Sequence, residues 1–164
     1  MSGDGSASSA NTREVFASVA PQMAVRWRDL DYLGHVNSVV FLTYLDEGRA
    51  AWLAAVLGST FLPEQYVVAH VDLDYRAEIP AATAMVETHH MIEAIGRSSI
   101  TFREELRIVG GETVANGGAV IVMWEPLTHY SRPLTERERA ALIAVAPLGS
   151  RFDGSSGFSV GEQM

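Results

Sequence analysis

A run of twenty residues at positions 38–57, SVVFLTYLDEGRAAWLAAVL, constrains the fold of this chain more than any other stretch. It contains no proline and only one glycine, Gly48. Asn37 or Ser38 can cap its start by accepting a hydrogen bond from a free backbone N–H, and Gly58 provides a stop signal. Apolar residues cover more than one helical stripe, which is typical of a helix buried on most sides. The sequence therefore predicts a long helix at the centre of the fold.

Three charged residues in this helix, Asp46, Glu47 and Arg49, bear on its surroundings. At 1.5 Å per residue the helix would be about 30 Å long, which also matches the hydrocarbon core of a bilayer. Each charge at mid-span would cost roughly 2.5 to 3.5 kcal/mol on insertion, which argues against a membrane span. We interpret the three residues as a polar seam on a helix within a globular domain rather than as catalytic groups.

The composition argues against several classes of protein. The chain has 164 residues, enough for one domain with its own core, and no cysteine, so neither disulfides nor thiolate catalysis is available. Its net charge is −8, from 12 basic and 20 acidic residues, which opposes binding to nucleic acid or to an anionic membrane. Every basic residue is arginine, whose planar guanidinium suits phosphate.

Segments rich in serine and glycine flank the central part of the chain. We expect residues 1–20 to be a disordered N-terminal tail and residues 147–164 a disordered C-terminal tail, with one domain at 21–146. The first segment lacks the apolar stretch of a signal peptide, so a cytoplasmic protein is the default expectation.

Periodic patterns predict strands on both sides of the helix. A short strand fits between Met23 and Asp29, with Val25 and Trp27 on one face. Four longer strands follow, at 66–79, 84–95, 97–109 and 112–124, and a short helix is expected at 135–144. The first long strand should bury Val71 and Tyr75 on its apolar face.

The order of these elements indicates an α+β architecture. Four consecutive long strands can pair as an antiparallel meander, and each is long enough to curl along the helix. Gly117 and Gly118 indicate a bulge or a close backbone approach in the last strand. A long, twisted antiparallel sheet wrapped around a central hydrophobic helix buries both elements.

The loop before the helix, RDLDYLGHVN at 28–37, carries the residues most suited to chemistry. A carboxylate such as Asp31 can attack an acyl carbon or deprotonate water, and the free N–H groups at a helix start can stabilise an oxyanion. Acyl transfer and hydrolysis use both together. The residues alone also allow Asp31 to be an ordinary turn aspartate, with Gly34 a position that needs positive φ.

The run RWRDLDYLGHVNSVVFLTYLDEGRAAWL resembles the N-terminal signature of hotdog-fold thioesterases of the 4-hydroxybenzoyl-CoA thioesterase type. The similarity continues through IGRSSITFREEL at 95–106 and HYSRPLTERERAAL at 129–142, so it covers most of residues 23–145. It implies the hotdog fold and an acyl-CoA thioesterase. It also implies a homodimer or homotetramer with the active site at the subunit interface.

The resemblance also assigns roles to residues of the loop. Asp31 matches the catalytic carboxylate, as nucleophile or as general base for water, and the N–H of Ser38 matches the group that polarises the thioester carbonyl. His35 and Asn37 match the H-V-N element. Similar plant acyl-carrier-protein thioesterases use the equivalent histidine, but they carry asparagine where this chain has Leu33. His35 could have a direct catalytic role, or it could only donate a hydrogen bond to a loop carbonyl.

For the coenzyme A part of the substrate, the resemblance points to Arg97, Ser98 and Ser99 in a strand turn and to Arg132, with Gly34 in the substrate-binding loop. Ser98 and Ser99 could instead be polar only because they lie in a hairpin, and Arg132 could be a solvated residue at the rim. Thioester hydrolysis of this type requires no metal or redox cofactor, and none is expected. His70, Asp72 and Asp74 share one strand face, as metal ligands can, but the alternation of polar and apolar residues in a half-exposed strand explains their spacing.

Two other functions are possible on the same fold. One is a noncatalytic module that binds acyl thioesters. The other is hydration or dehydration of a thioester substrate, although those branches place their histidine and aspartate differently. The sequence predicts neither the preferred acyl chain nor the choice between coenzyme A and acyl-carrier protein, although the chain's negative charge disfavours an acidic carrier.

Overall fold

The computed structural model describes residues 20–58 and 61–152, so residues 1–19 and 153–164 of the predicted tails lie outside it. Its strands and helices, in chain order, are β1 (Gln22–Ala24), α1 (Ser38–Leu57), β2 (Tyr66–Tyr75), β3 (Met85–Ile95), β4 (Ser99–Ile108), β5 (Thr113–Glu125), β6 (Tyr130–Ser131), α2 (Glu136–Val145) and β7 (Arg151–Phe152). Short 3₁₀ helices occupy Trp27–Asp29 and Pro63–Gln65.

The central helix α1 has the predicted bounds. Asn37 caps it, since its side-chain oxygen accepts a hydrogen bond of 3.0 Å from the N–H of Val39. Gly58 ends it with a φ of +100°, a conformation that favours glycine, and its N–H donates to the Ala54 carbonyl at 3.0 Å. Nonpolar side chains of α1 lie in the core, among them Tyr44 and Leu53, which are fully buried. None of the helices in the described ranges is both long and apolar enough to cross a membrane.

The sheet curls around α1 in the order β1-β3-β4-β5-β2, so the α+β hotdog architecture is confirmed. The predicted meander is correct only for β3, β4 and β5. The strand β2 pairs antiparallel with β5 instead of β3, with Tyr66 opposite Met123. The reason is that the chain after β2 binds the loop before α1, where the N–H of Val36 donates to the Ile79 carbonyl at 2.9 Å. The segment between β2 and β3 therefore crosses from the β2 edge of the sheet toward the opposite edge.

The predicted strand at 23–29 is wrong over most of its length. Only Gln22–Ala24 pairs, with β3, and the next turn is a 3₁₀ helix in which Trp27 is 90% exposed. The Asp29 carboxylate accepts a hydrogen bond from the N–H of Arg26 at 2.8 Å. Such local side-chain bonds compete with a strand ladder.

The strand β2 is shorter and more exposed than its pattern predicts. It ends at Tyr75 rather than at residue 79, and both Val71 and Tyr75 are exposed rather than buried. A bulge between Val68 and His70 shifts its register, and β2 is the last strand of the main sheet. In the described part of the chain its outer edge has no strand partner.

Three further features bear on the sequence predictions. The close approach at Gly117 is confirmed, because a Cβ atom there would overlap the backbone carbonyl oxygen of Asp72 on the paired strand. The helix α2 is capped as predicted by Thr135, whose hydroxyl accepts a hydrogen bond from the Glu138 N–H at 3.2 Å. Beyond α2, the short strand β7 pairs in parallel with β3 inside the segment expected to be a tail.

Of the three charged residues noted in α1, only Arg49 is buried. Its guanidinium lies in the core at 2% exposure, whereas Asp46 and Glu47 are at the surface. Glu104 of β4, 1% exposed, receives two hydrogen bonds from Arg49. The helix is therefore joined to the sheet by an ion pair within the core.

Candidate active site

The loop before α1 is a tight turn held by its own backbone. The N–H of Asp31 donates to the His35 carbonyl at 2.8 Å, and the N–H of Gly34 donates back to the Asp31 carbonyl at 3.2 Å. Gly34 has a φ of +80°, which confirms that this position needs the conformational freedom of glycine. The turn places Asp31 and His35 next to each other just before the helix begins.

Asp31 presents one oxygen to the turn and leaves the other free. Its Oδ1 accepts hydrogen bonds from the N–H of Leu33 at 2.8 Å and of His35 at 3.4 Å. Among the described residues, Oδ2 has no hydrogen-bond partner. The carboxylate is thus oriented by the backbone while one oxygen remains available to a ligand.

Asp29, two residues earlier, has a different environment. It is 6% exposed, and its Oδ2 accepts a hydrogen bond from the Tyr44 hydroxyl at 2.7 Å. Burial acts to raise the pKa of Asp29, but the hydrogen bonds from Tyr44 and Arg26 and the charge of Arg26 outweigh it and lower the pKa. Asp29 is therefore a structural carboxylate that fixes the loop to the helix.

The start of α1 offers one free amide. Asn37 engages the amides of Val39 and Val40, since its side chain accepts from Val39 and its carbonyl accepts from Val40 at 2.9 Å. The N–H of Ser38 has no acceptor in the described part of the chain. A free N–H at the positive end of a 20-residue helix is well suited to a negatively charged oxygen.

A cleft of about 430 Å³ brings these groups together. Its lining residues come from the loop, from the first turn of α1 and from the end of β2 with the segment that follows: Asp31, His35, Val36, Asn37, Ser38, Phe41, Tyr75, Arg76, Ala77 and Glu78. Four residues singled out from the sequence, Asp31, His35, Asn37 and Ser38, thus line one cleft. Their chemical roles remain predictions.

His35 pairs with a carboxylate that sequence reasoning did not identify. Its Nδ1 lies 3.1 Å from Oε2 of Glu78, and both side chains are partly exposed. An ionised carboxylate only accepts hydrogen bonds, so this contact favours a proton on Nδ1. The other ring nitrogen, Nε2, takes no part in the contact with Glu78. The bridge between His35 and Pro80 holds the two segments together. Because this contact joins segments more than forty residues apart, no local pattern reveals it.

The residues predicted to bind coenzyme A lie elsewhere. The Ser98 carbonyl accepts from the N–H of Met123 at 2.8 Å, and the N–H of Arg132 donates to the Met123 carbonyl at 2.9 Å. Met123 pairs with Tyr66, which lies at one end of β2, and Tyr75 lies at the other end. At about 3.3 Å per residue, the two ends of β2 are roughly 30 Å apart. Within one protomer, Arg97, Ser98, Ser99 and Arg132 therefore do not reach the cleft.

The two arginines of this second group differ in their partners. Arg132 donates two hydrogen bonds to Glu138, at 2.7 and 2.9 Å, and these bonds raise its pKa. The Arg97 side chain is exposed and has no charged partner among the described residues. Arg97 is therefore the more available of the two to an anionic ligand.

No group of three or more potential metal ligands occurs in the residues that the structure describes. The histidine and aspartates noted on β2 include one close contact, between His70 Nε2 and Asp72 Oδ1 at 3.5 Å. This contact is a pair at an exposed surface.

Comparison with known proteins gives a consistent result. The model of the family described as "Thioesterase-like superfamily" matches residues 25–145. No curated protein sequence matches the chain. Among solved structures, a thioesterase from Thermus thermophilus, complexed with coenzyme A and Zn, is 32% identical with a TM-score of 0.69. The match covers 79% of this chain and 96% of that one.

Two other solved structures are also similar. A candidate acyl-CoA thioesterase from Xanthomonas campestris is 28% identical, with a TM-score of 0.57, over 64% of this chain and 91% of that one. A predicted thioesterase from Bacillus stearothermophilus is 22% identical, with a TM-score of 0.68, over 77% and 95% of the two chains, and this likeness shows the shared fold alone.

Proposed function

The chain belongs to the thioesterase-like superfamily, and on that premise we propose that it is an acyl-CoA thioesterase, which uses water to hydrolyse an acyl-CoA to a carboxylic acid and coenzyme A. One observation carries the proposal: a single cleft contains a carboxylate with a free oxygen and a free amide at a helix start. Thioester hydrolysis needs a base or nucleophile and an oxyanion site within reach of the same carbonyl.

Asp31 supplies the first of these groups. As a general base, its free oxygen takes a proton from water while that water attacks the carbonyl carbon and the C–S bond breaks. As a nucleophile, the same oxygen attacks the carbon and expels the thiolate, and water then hydrolyses the resulting anhydride. The hydrogen bond from the Leu33 N–H to the other oxygen orients the carboxylate for either route.

The amide of Ser38 supplies the second group. In the tetrahedral intermediate the carbonyl oxygen becomes negative, and an N–H at the helix start stabilises that charge more than it stabilises the neutral substrate. Removing one such donor from an oxyanion site typically costs about 100- to 1,000-fold in kcat. A backbone donor cannot be removed by a side-chain substitution, so its position has to be tested indirectly.

His35 and Glu78 form a second pair in the cleft. With Glu78 accepting from Nδ1, the doubly protonated form of His35 can donate the proton on Nε2 to the leaving thiolate. In this proposal Glu78 orients the imidazole.

In this proposal a second copy of the chain contributes to binding of the coenzyme A moiety. The edge of β2 that has no strand partner within residues 20–58 and 61–152 exposes Val68 and Val71, and a twofold axis could join two such edges antiparallel. That arrangement would bring the Tyr66 end of one strand next to the Tyr75 end of the other. Arg97 of one protomer would then approach the cleft of its partner, where it could bind phosphate. Arg132 would need to exchange Glu138 for the ligand.

The direct test is release of thiol from a panel of acyl-CoAs with short, medium, long and aromatic acyl groups. We expect wild-type protein to hydrolyse at least one of them well above the rate without protein, and to form dimers or tetramers in solution. If acyl-CoAs bind without any thiol release, the protein is a noncatalytic binding module and the proposed activity is wrong.

A further inference from the structure

The residue Tyr75, at the end of β2, makes a contact that the proposed mechanism does not yet use. Its hydroxyl donates a hydrogen bond of 2.8 Å to the carbonyl oxygen of Ser38, although the two residues are 37 positions apart. Ser38 carries the amide assigned above to the oxyanion. We propose that Tyr75 is a positioning residue that fixes this amide relative to Asp31, an inference that rests on the proposed thioesterase function.

A second contact ties the same side chain to the helix. The ring of Tyr75 packs edge-on against the ring of Phe41, with ring centres 5.2 Å apart and planes at 67°. Phe41 is buried, whereas Tyr75 is 51% exposed and lines the cleft. Tyr75 thus contacts the first turn of α1 at two points, at Ser38 through its hydroxyl and at Phe41 through its ring.

The location of the hydrogen bond explains why it should affect chemistry more than folding. Asn37 caps the amides of Val39 and Val40, and these bonds do not fix the first turn relative to the sheet. The Tyr75 hydroxyl does so, since it anchors Ser38 to β2. A displacement of about 1 Å in such a group can cost up to 100-fold in rate. The bond itself is at the exposed surface, where its loss has little effect on stability.

The substitution Tyr75→Phe tests this assignment because it keeps the ring and removes only the hydroxyl. We expect kcat for the best acyl-CoA to fall about tenfold or more, KM to stay within about twofold, and the melting temperature to stay close to the wild-type value. Tyr130→Phe is the matched control, since Tyr130 is also exposed but lies in β6, outside the cleft. It should retain wild-type kcat.

Two results would overturn the assignment. One is a kcat for Tyr75→Phe within twofold of wild type. The other is a fall in kcat that follows a comparable fall in melting temperature, because that pattern indicates a structural role only.

A second measurement does not depend on catalysis. The amide resonance of Ser38 in a ¹H–¹⁵N spectrum should shift in Tyr75→Phe and stay unchanged in Tyr130→Phe. If wild type hydrolyses no acyl-CoA, the proposed function fails while a shifted Ser38 amide still supports the positioning contact. An unshifted Ser38 amide in Tyr75→Phe contradicts the contact, whatever the activity.

Discussion

Arg49 and Glu104 form a bidentate ion pair inside the core, with Nε to Oε1 at 2.8 Å and Nη2 to Oε2 at 2.9 Å. The pair joins the middle of α1 to β4, the central strand of the sheet. His90 of β3 donates from Nδ1 to the same carboxylate at 2.9 Å, and its Nε2 lies 2.9 Å from the Thr88 hydroxyl. In the described residues, no buried side-chain polar atom lacks a hydrogen-bond partner.

Breaking this pair from one side should strongly destabilise the protein. In Glu104→Gln the Arg49 charge stays buried and keeps only its bond of 2.9 Å to the exposed Asp46, and we expect the free energy of unfolding to fall by roughly 3 to 5 kcal/mol. Urea unfolding at a fixed protein concentration measures the loss. The double variant Arg49→Met with Glu104→Leu should recover part of it, because no guanidinium then stays buried without Glu104, although Nδ1 of the buried His90 loses its acceptor. A single variant as stable as wild type would contradict the predicted effect.

The same carboxylate should make stability depend on pH in the acid range. Burial acts to raise the pKa of Glu104, but hydrogen bonds from His90 and Arg49 and the charge of Arg49 lower it below its usual value. A lowered folded-state pKa contributes stability that is complete above the unfolded-state value of about 4.3 and is lost as the pH falls through the folded-state value.

We therefore expect the free energy of unfolding of wild type to fall between about pH 5 and pH 3, and to fall less steeply in Glu104→Gln. Urea unfolding at several pH values measures both slopes. The remaining slope in the variant should come in part from Asp29 and Glu138, whose pKa values are also lowered. Equal slopes in the two proteins would show that Glu104 titrates no differently in the folded and unfolded states.

Gly48 is required by packing rather than by its backbone conformation. A methyl group at this position would overlap the Thr88 hydroxyl and approach the Thr88 Cβ to 2.9 Å. Helix propensity alone favours alanine by about 1 kcal/mol, but overpacking of this kind costs roughly 1 to 3 kcal/mol. We expect Gly48→Ala to lower the free energy of unfolding in urea titrations.

A control on the exposed face of α1 separates the two effects. Ala51 is exposed, and Ala51→Gly should cost about 1 kcal/mol through helix propensity alone. A Gly48→Ala variant more stable than wild type would mean that Thr88 moves aside without cost.

The parts of the fold that local signals specify were predictable from the sequence. The bounds of α1 follow from Asn37, which caps the first turn, and from Gly58, which adopts positive φ. The β3-β4-β5 pairing likewise follows from strands that are adjacent in the chain. The pairing of β2 with β5 was not predictable, because the alternation of β2 fits either neighbour and a contact around Ile79 decides between them.

In the polar core and the cleft, too, features set by neighbouring residues were predictable and long-range contacts were not. The i, i+2 alternation of β4 places Glu104 on the apolar face between Phe102 and Leu106, but nothing local identifies Arg49 as its partner. Asp31 and Ser38 are close in sequence, so one loop brings them together. Tyr75 and Glu78 reach the cleft only through the folded sheet.

Substitution of Asp31 tests the central claim most directly. The variant Asp31→Asn keeps the size of the side chain and can still accept the hydrogen bond from Leu33, but it cannot act as a base or nucleophile. With the preferred acyl-CoA, thiol release should show a fall in kcat/KM of about 100-fold or more at an unchanged melting temperature. Glu112→Gln, which removes a carboxylate at an exposed position between β4 and β5 and outside the cleft, should match wild type. A fall of less than about tenfold for Asp31→Asn, equivalent to ~1.4 kcal/mol, would contradict the assignment of Asp31.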